Sequence, residues 1–299
     1  MTVADTTVKA PARTPTERLM RMVGRAPVHI ALVVIALIWL VPTIGLFITS
    51  FRPRGDIQST GWWTIFAGNF DLTLENYNAV LGADLASQSM FDAFLNTLQI
   101  TIPSTIIPLF LASLAAFAFA WVKFPFRDTL FLSIIAMLLV PIQMTLIPLS
   151  QLFRELGLIG TFFPIWIIHT TFALPFGIFL LRNFFITLPK DLIEAARIDG
   201  ASTFSIFRQI VLPLSVPALA SYAIFQFLWV WNDLLVALVF APRPAGLPMT
   251  TQVGALLGTY GTEWDILAAA SFLIMVVPLA VFFSLQRFFV QGLLAGSVK

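Results

Sequence analysis

Cysteine is absent from this 299-residue chain, which removes disulfides, thiolate catalysis and cysteine-ligated metals together. Charge is scarce as well: 11% of residues are Asp, Glu, Lys or Arg, against about a quarter in ordinary soluble domains. The only two histidines, His29 and His169, stand far apart with neither His-x-x-x-His nor Glu-x-x-His spacing, so a zinc site has no framework. No Gly-x-x-x-x-Gly-Lys-Ser/Thr phosphate loop occurs, and no Gly-x-Ser-x-Gly nucleophile elbow. A chain of this build that uses ATP must borrow hydrolysis from another polypeptide. A formal net charge of +2 gives no argument for a nucleic-acid partner. The chain reads as a non-enzyme without a cofactor of its own.

What is abundant is apolar length. Hydrophobic residues make up 59% of the chain and mean hydropathy is +0.92, so the long runs need lipid. Val28 to Ser50 is 23 residues, enough to cross roughly 30 Å of hydrocarbon with some tilt. It ends in Phe51-Arg52-Pro53-Arg54 rather than at a small-residue cleavage site, and is read as a retained first span. Five more follow: Phe91 to Trp121, Thr129 to Leu152, Phe162 to Leu181, Leu214 to Phe240 and Ile266 to Phe289. Prolines interrupt nearly all of them, which is tolerable where neighbouring helices satisfy the freed carbonyls. The expected fold is all-α: a polytopic membrane protein of six transmembrane helices. Residues 1–27 form an N-terminal tail, helical from Pro15 onward, 28–290 the membrane domain, and 291–299 a C-terminal tail. Between the first two spans, Trp62 and Trp63 suggest an aromatic segment lying at the membrane surface.

If successive spans alternate in direction, 13 of the 17 Lys and Arg fall on the side that holds both termini, leaving Arg52, Arg54, Arg154 and Arg243 on the other. The positive-inside rule then makes both termini cytoplasmic. The same side holds the longest polar island of the second half, about 188–213. It contains Glu194, Ala195, Ala196, Asp199 and Gly200, read as a helix from about Leu188 that stops at a glycine. Alanines there would admit a close partner, and Gly200 a sharp change of direction. An ordinary connecting helix has the same pattern.

Span five carries Trp231-Asn232-Asp233. A carboxylate inside a span costs on the order of 2.5–3.5 kcal/mol on insertion scales, so it should face the bundle interior or a watery path. Rings with amide and acid groups also suit sugars, whose faces stack and whose hydroxyls pair. Asp233 could equally cap or pair within the bundle. Gln143 and Gln226 are weaker path candidates, since glutamines often just bridge helices. The stretch from Ala241 to Asp265, with Gly254, Gly258 and Tyr260, is long for a connection, which raises the chance of function. A packed re-entrant loop is the alternative.

Glu194-Ala195-Ala196, Asp199-Gly200-Ala201 and the ending Leu212-Pro213-Leu214 resemble the coupling loop of bacterial ABC importer permeases, in the maltose-type carbohydrate branch. Trp231-Asn232 followed by an acid, and Leu74-Glu75-Asn76-Tyr77 before the second span, are similar to that branch as well. The resemblance implies a cytoplasmic-membrane permease subunit of an ATP-driven importer. Its substrate would be a sugar, either an oligosaccharide or an α-glucoside. The implied partners are a second permease, two copies of an ATPase that bind ATP and Mg, an extracytoplasmic sugar-binding protein and membrane lipid. It also implies that Glu194, Ala195, Ala196, Asp199 and Gly200 meet the ATPase. Trp231, Asn232 and Asp233 would line the path, and Gly254, Gly258 and Tyr260 would lie in a loop that reaches the binding protein. The alternative from the residues alone is an ion-coupled secondary transporter using Asp233.

Overall fold

The computed structural model describes residues 15–68, 70–82, 84–85, 88–243, 245–259 and 264–295. Tyr260 and the first 14 residues lie outside these, as do the last four. Helix α1 (Pro15–Ser50) contains the first apolar run and is largely exposed over Ala26–Ser50. Two short elements follow at its far end, α2 (Arg54–Ser59) and a 3-10 helix (Trp62–Ala67), and then α3 (Glu75–Gly82). Asn76 of α3 donates from Nδ2 to the carbonyls of Ser50 and Arg52, at 3.0 and 2.9 Å. These belong to the end of α1, where helical carbonyls have no partner of their own. A two-residue hairpin, β1 (Asp84–Leu85) with β2 (Gln88–Ser89), leads to α4 (Met90–Trp121), where Ser89 caps the backbone N–H of Asp92.

Span three departs from the sequence reading. Instead of one helix from Thr129 to Leu152, the chain forms α5 (Arg127–Ala136), a single 3-10 turn and α6 (Ile142–Glu155), bent by 95°. Proline biases the residue before it toward extended backbone, and Val140 before Pro141 sits at φ −81°, ψ 113°. Helix α7 (Phe163–Phe185) is continuous. After it come α8 (Lys190–Ile198), α9 (Thr203–Ile206), a π-helical turn Phe207–Val211 and the one-turn α10 (Leu212–Leu214).

Span five is also broken. Helix α11 (Val216–Trp231) meets the segment before it at 77° and stops at Asn232, and α12 (Leu235–Phe240) restarts three residues on. Within the long connection lies a helix, α13 (Met249–Thr259), and Met249 and Leu256 are buried in the core it shares with α4 and α14. Gly254 and Gly258 therefore sit in a helix and not in a loop. The last helix, α14 (Trp264–Ala295), runs into the segment read as the C-terminal tail. Among the described residues four helices are long and apolar enough to cross a membrane, and counting each bent pair as one span gives up to six.

Helix α4 packs most extensively on α7, and α11 on α14 and α4. Where α7 crosses α11, a Cβ at Gly177 would strike the Tyr222 ring, so glycine sets the approach; Tyr222 Oη then donates to the Ala173 carbonyl at 3.0 Å.

Three of the interior prolines are answered from neighbouring helices. Proline has no N–H, so the carbonyl four residues earlier loses its helical partner. For Pro103 that carbonyl is Gln99, which accepts from Trp166 Nε1 of α7 at 2.9 Å. For Pro108 it is Ser104, which accepts from Gln226 Nε2 of α11 at 2.9 Å. For Pro278 it is Ile274, which accepts from Trp231 Nε1 of α11 at 3.1 Å. Hydrogen bonds between membrane helices average about 0.6 kcal/mol and reach about 1.7. A carbonyl that proline has stripped of its helical donor belongs at the upper end.

Replacing Gln226 by Leu should therefore lower the thermal unfolding temperature of the purified protein, by the equivalent of about 1–2 kcal/mol. Adding Pro108→Ala restores an N–H for the Ser104 carbonyl and should recover most of that loss. Loss of the same size in the double variant would show that packing, and not the carbonyl, needs Gln226.

Candidate functional site

Two regions carry the residues that the sequence singled out. The first is the polar island. Helix α8 begins at Lys190, after Pro189, and is strongly two-faced. Ile193 is fully buried and joins Ile206, Phe207 and Val211 in a core with Phe117 and Phe119 of α4, Leu181 and Phe185 of α7 and Tyr222 of α11. Glu194 and Ala195 are exposed, Ala196 is half-buried, and Asp199 and Gly200 are exposed.

The turn that ends α8 is fixed by hydrogen bonds. Gly200 has φ +81°, its N–H donates to the Arg197 carbonyl at 3.1 Å, and the Ala201 N–H donates to Ala196 at 2.9 Å. This is the Schellman pattern, in which the left-handed position favours glycine. A Cβ there would meet nothing within 4 Å, so backbone conformation is the constraint and space is not. Ser202 then caps α9 by accepting from the Ser205 N–H at 3.1 Å. Sequence spacing located this corner correctly.

Two features of α8 escaped the sequence reading. Arg197 donates from Nη2 to the Trp121 carbonyl at 2.9 Å, 76 positions away in sequence. That carbonyl ends α4, where a cation also meets the negative end of the helix dipole. One side chain thus ties α8 to the longest interior helix. In addition, Ile198 is 85% exposed and Leu192 and Phe204 are exposed beside it. Apolar side chains next to an acid that makes no ion pair among the described residues, Glu194, form a surface suited to a protein partner. A solvated connecting helix would place polar residues there.

The second region is the break in span five. Trp231 is 1% exposed, stacked on Phe227 at 5.4 Å and edge-on to Phe94, with its indole N–H given to Ile274. No ring face is open to a solute, so its expected place on the path is corrected to a core position. Gln226 is likewise buried, its amide N–H held by Ser104. Asp233 caps α12: its Oδ1 accepts from the Val236 N–H at 3.3 Å and its Oδ2 from the Ala237 N–H at 3.1 Å. The same Oδ2 lies 3.7 Å from Nε2 of His169, which is completely buried on α7. Thr250 Oγ1 of α13 donates to the Asp233 carbonyl at 2.7 Å. Of the two readings open for this carboxylate, the structure shows the capping one.

Asn232 is exposed, with Nδ2 turned back on Leu228 at 2.7 Å, and Gln143 is exposed two residues past the bend at Pro141. The ring that does face open space is Trp229. It packs edge-on against His169 at 5.3 Å and, with Phe172, Ala173, Phe176, Phe225 and Gln226, lines a cavity of about 280 Å³ between α7 and α11. Helical period distinguishes Trp229 from Trp231 only once one knows which face of α11 meets α14.

Comparison with known proteins adds a third line. The model of the family described as "Binding-protein-dependent transport system inner membrane component" matches residues 108–294. The osmoprotective compounds uptake permease protein GgtD of Synechocystis sp. is 52% identical over 288 residues, spanning 95% of each chain. The alpha-glucoside transport system permease protein AglG of Rhizobium meliloti is 37% identical, spanning 91% of this chain and 96% of its own. Among solved structures, a chain of a bacterial ABC transporter involved in the import of the acidic polysaccharide alginate superposes with a TM-score of 0.70. That match covers 94% of this chain and 100% of the other at 22% identity, a likeness of fold. With an exposed, rigidly ended α8 and an all-helical bundle of bent spans, this chain belongs to the family of inner membrane components of binding-protein-dependent transport systems, as a transport subunit and not an enzyme.

Proposed function

We propose that the chain is one of two permease subunits of an ATP-driven importer for a sugar or a related small solute, an α-glucoside or an osmoprotective compound. The substrate class rests on the names of the relatives above, which differ among osmoprotective compounds and α-glucosides. The proposed partners are a second, similar permease, two copies of an ATPase that bind ATP and Mg, and an extracytoplasmic binding protein, with both termini of this chain in the cytoplasm.

The observation that carries the mechanism is the way α8 is held. Its Schellman turn is backbone-locked, Ile193 is sunk in the bundle core, and Arg197 grips the end of α4. A partner that moves the exposed face of Glu194, Ala195, Ile198 and Gly200 therefore moves α4 and α7 with it as one lever. Rigid-body rearrangement of this kind needs a differential contact between two states, which nucleotide-driven closure of the ATPases supplies. On the path itself, Trp229 and Asn232 are the groups of span five left free to meet a solute. Gly254, Gly258 and Tyr260 would face the binding protein, Tyr260 lying outside the described residues.

Contact and lever separate experimentally. Glu194→Ala should weaken retention of the ATPase by the detergent-purified permease pair, on the order of the tenfold expected when a charged hydrogen-bond partner is lost. Arg197→Ala should keep the ATPase bound, yet uptake by liposomes should fall several-fold relative to ATP hydrolysed. Normal uptake by both variants would remove α8 from the coupling role.

The ion-coupled alternative makes the opposite forecast at Asp233. If the carboxylate is a cap, Asp233→Asn, which keeps an acceptor at the start of α12, should cost less than about threefold in uptake. Transport by that variant should survive ionophores and stop when ATP is withheld. Abolished uptake with a normally assembled complex would reinstate ion coupling.

A further inference from the structure

At the far end of α1 lies a cavity of about 350 Å³ that the transport mechanism does not use. It is lined by Pro42, Gly45, Leu46 and Thr49 of α1, by Arg52, by Ile57, Thr60, Gly61 and Trp62 of the segment after it, and by Trp264 at the start of α14. Arg52 is 4% exposed. Its Nη1 donates to the Thr60 carbonyl at 3.2 Å, and its Nη2 to the Asp56 carbonyl at 3.1 Å and to the hydroxyls of Thr60 and Thr64. All of these are neutral oxygens, and no carboxylate pairs with Arg52 among the described residues. A guanidinium carries five N–H donors; the contacts of Nη1 and Nη2 leave Nε–H and one Nη1–H without an acceptor. Burying a cation that lacks a counter-charge costs several kcal/mol, so a cavity against it is a place where an anion is stabilised.

The cavity is graded along α1. Pro42, Gly45 and Leu46 make an apolar wall, followed one turn on by Thr49 and then by Arg52 and Thr60. This apolar-to-cationic order, running along an apolar helix that is exposed for most of its described length, matches a lipid molecule and not a free ion. Trp62 and Trp264 flank it as aromatic side chains do at the headgroup level. Gly45 matters here: a Cβ at that position would strike the Trp62 indole, so glycine lets the ring close the cavity against α1.

We propose that this cavity holds one anionic phospholipid, its phosphodiester paired with Arg52 and the start of its acyl chain on Pro42, Gly45 and Leu46. Assignment to the outer leaflet rests on the orientation proposed above; binding itself does not. The bound lipid would tie α1 to α14 and to the surface segment that carries Trp62.

Native mass spectrometry of the assembled transporter, titrated with phosphatidylglycerol or phosphatidylcholine, tests this. The wild type should retain one phosphatidylglycerol in preference to phosphatidylcholine, and Arg52→Gln should weaken it about ten- to hundredfold, with Arg52→Lys intermediate. Should Arg52→Gln fail to assemble, Leu46→Trp fills the apolar wall, leaves the bonds of Arg52 in place and should release the lipid as well. Equal retention of the two lipids by the wild type overturns the proposal. So does displacement of phosphatidylglycerol by millimolar inorganic phosphate, which would mark a soluble-anion site. A cross-link from position 52 to an acidic segment of a partner subunit, with no lipid retained, would overturn it in favour of a protein contact.

Discussion

Hydrocarbon offers the backbone no hydrogen bonds, and this chain places prolines inside most of its spans. The conflict is resolved in three places by one device, a side-chain N–H delivered from another helix to the carbonyl that the proline has orphaned. Trp166 serves Gln99, Gln226 serves Ser104 and Trp231 serves Ile274. These bonds do more than remove a penalty. They fix α4 to α7, α4 to α11, and α11 to α14, the pairs that make up most of the bundle. At Val140-Pro141 the chain breaks instead, and the two halves of span three lie at 95°.

This constraint explains which parts of the site were legible beforehand. The end of α8 is local: Ala196, Arg197, Gly200 and Ala201 are within six positions of one another, so a glycine after a helical run announces the Schellman turn. The six-span pattern is local too, because apolar length is a property of each segment. Span five was harder. Tryptophan, glutamine and aspartate inside a hydrophobic run suggest solute chemistry when the run is seen alone. Trp231 and Gln226 turn out to serve carbonyls 43 and 122 positions away, and nothing in the local pattern reveals that those carbonyls were orphaned. The prolines at 278 and 108 were the signal, had their missing bonds been matched to the available donors. Arg197 belongs to the same class, since its acceptor on Trp121 is created only by the packing.

The exposed surface of α8 and the far end of α1 are built on one logic of helix ends. Arg197 donates to the carbonyl of Trp121, the last residue of α4, and so ties α8 to the bundle. Asn76 satisfies the last carbonyls of α1 and makes α3 part of its far end. In each case a polar side chain from a short surface helix is spent on a long helix's terminus. Motion of the short element is then transmitted to the long one: separating α3 would break buried hydrogen bonds at a cost of about 1–3 kcal/mol, and separating α8 would pull Ile193 from the core as well as break the exposed Arg197 bond. For α8 this is what makes a surface contact mechanically useful.

The same accounting limits what span five can offer a solute. With Trp231, Gln226 and Asp233 committed to the backbone, the cavity between α7 and α11 presents Phe172, Phe176, Phe225 and Trp229, with Gln226 the one polar residue among its walls. Such a wall is mostly aromatic, and its hydrogen-bonding groups are limited to the Trp229 indole N–H and the amide of Gln226, whose Nε2 is already given to Ser104. A path that discriminates among glycosides needs hydrogen-bonding groups, because rejection of a wrong solute comes mainly from polar partners left unsatisfied. Within this chain Asn232 is the nearest exposed candidate in sequence, and one amide does not cover a sugar. On the function proposed above, further polar groups of the path would come from the partner permease, and this chain would contribute the stacking wall and the lever.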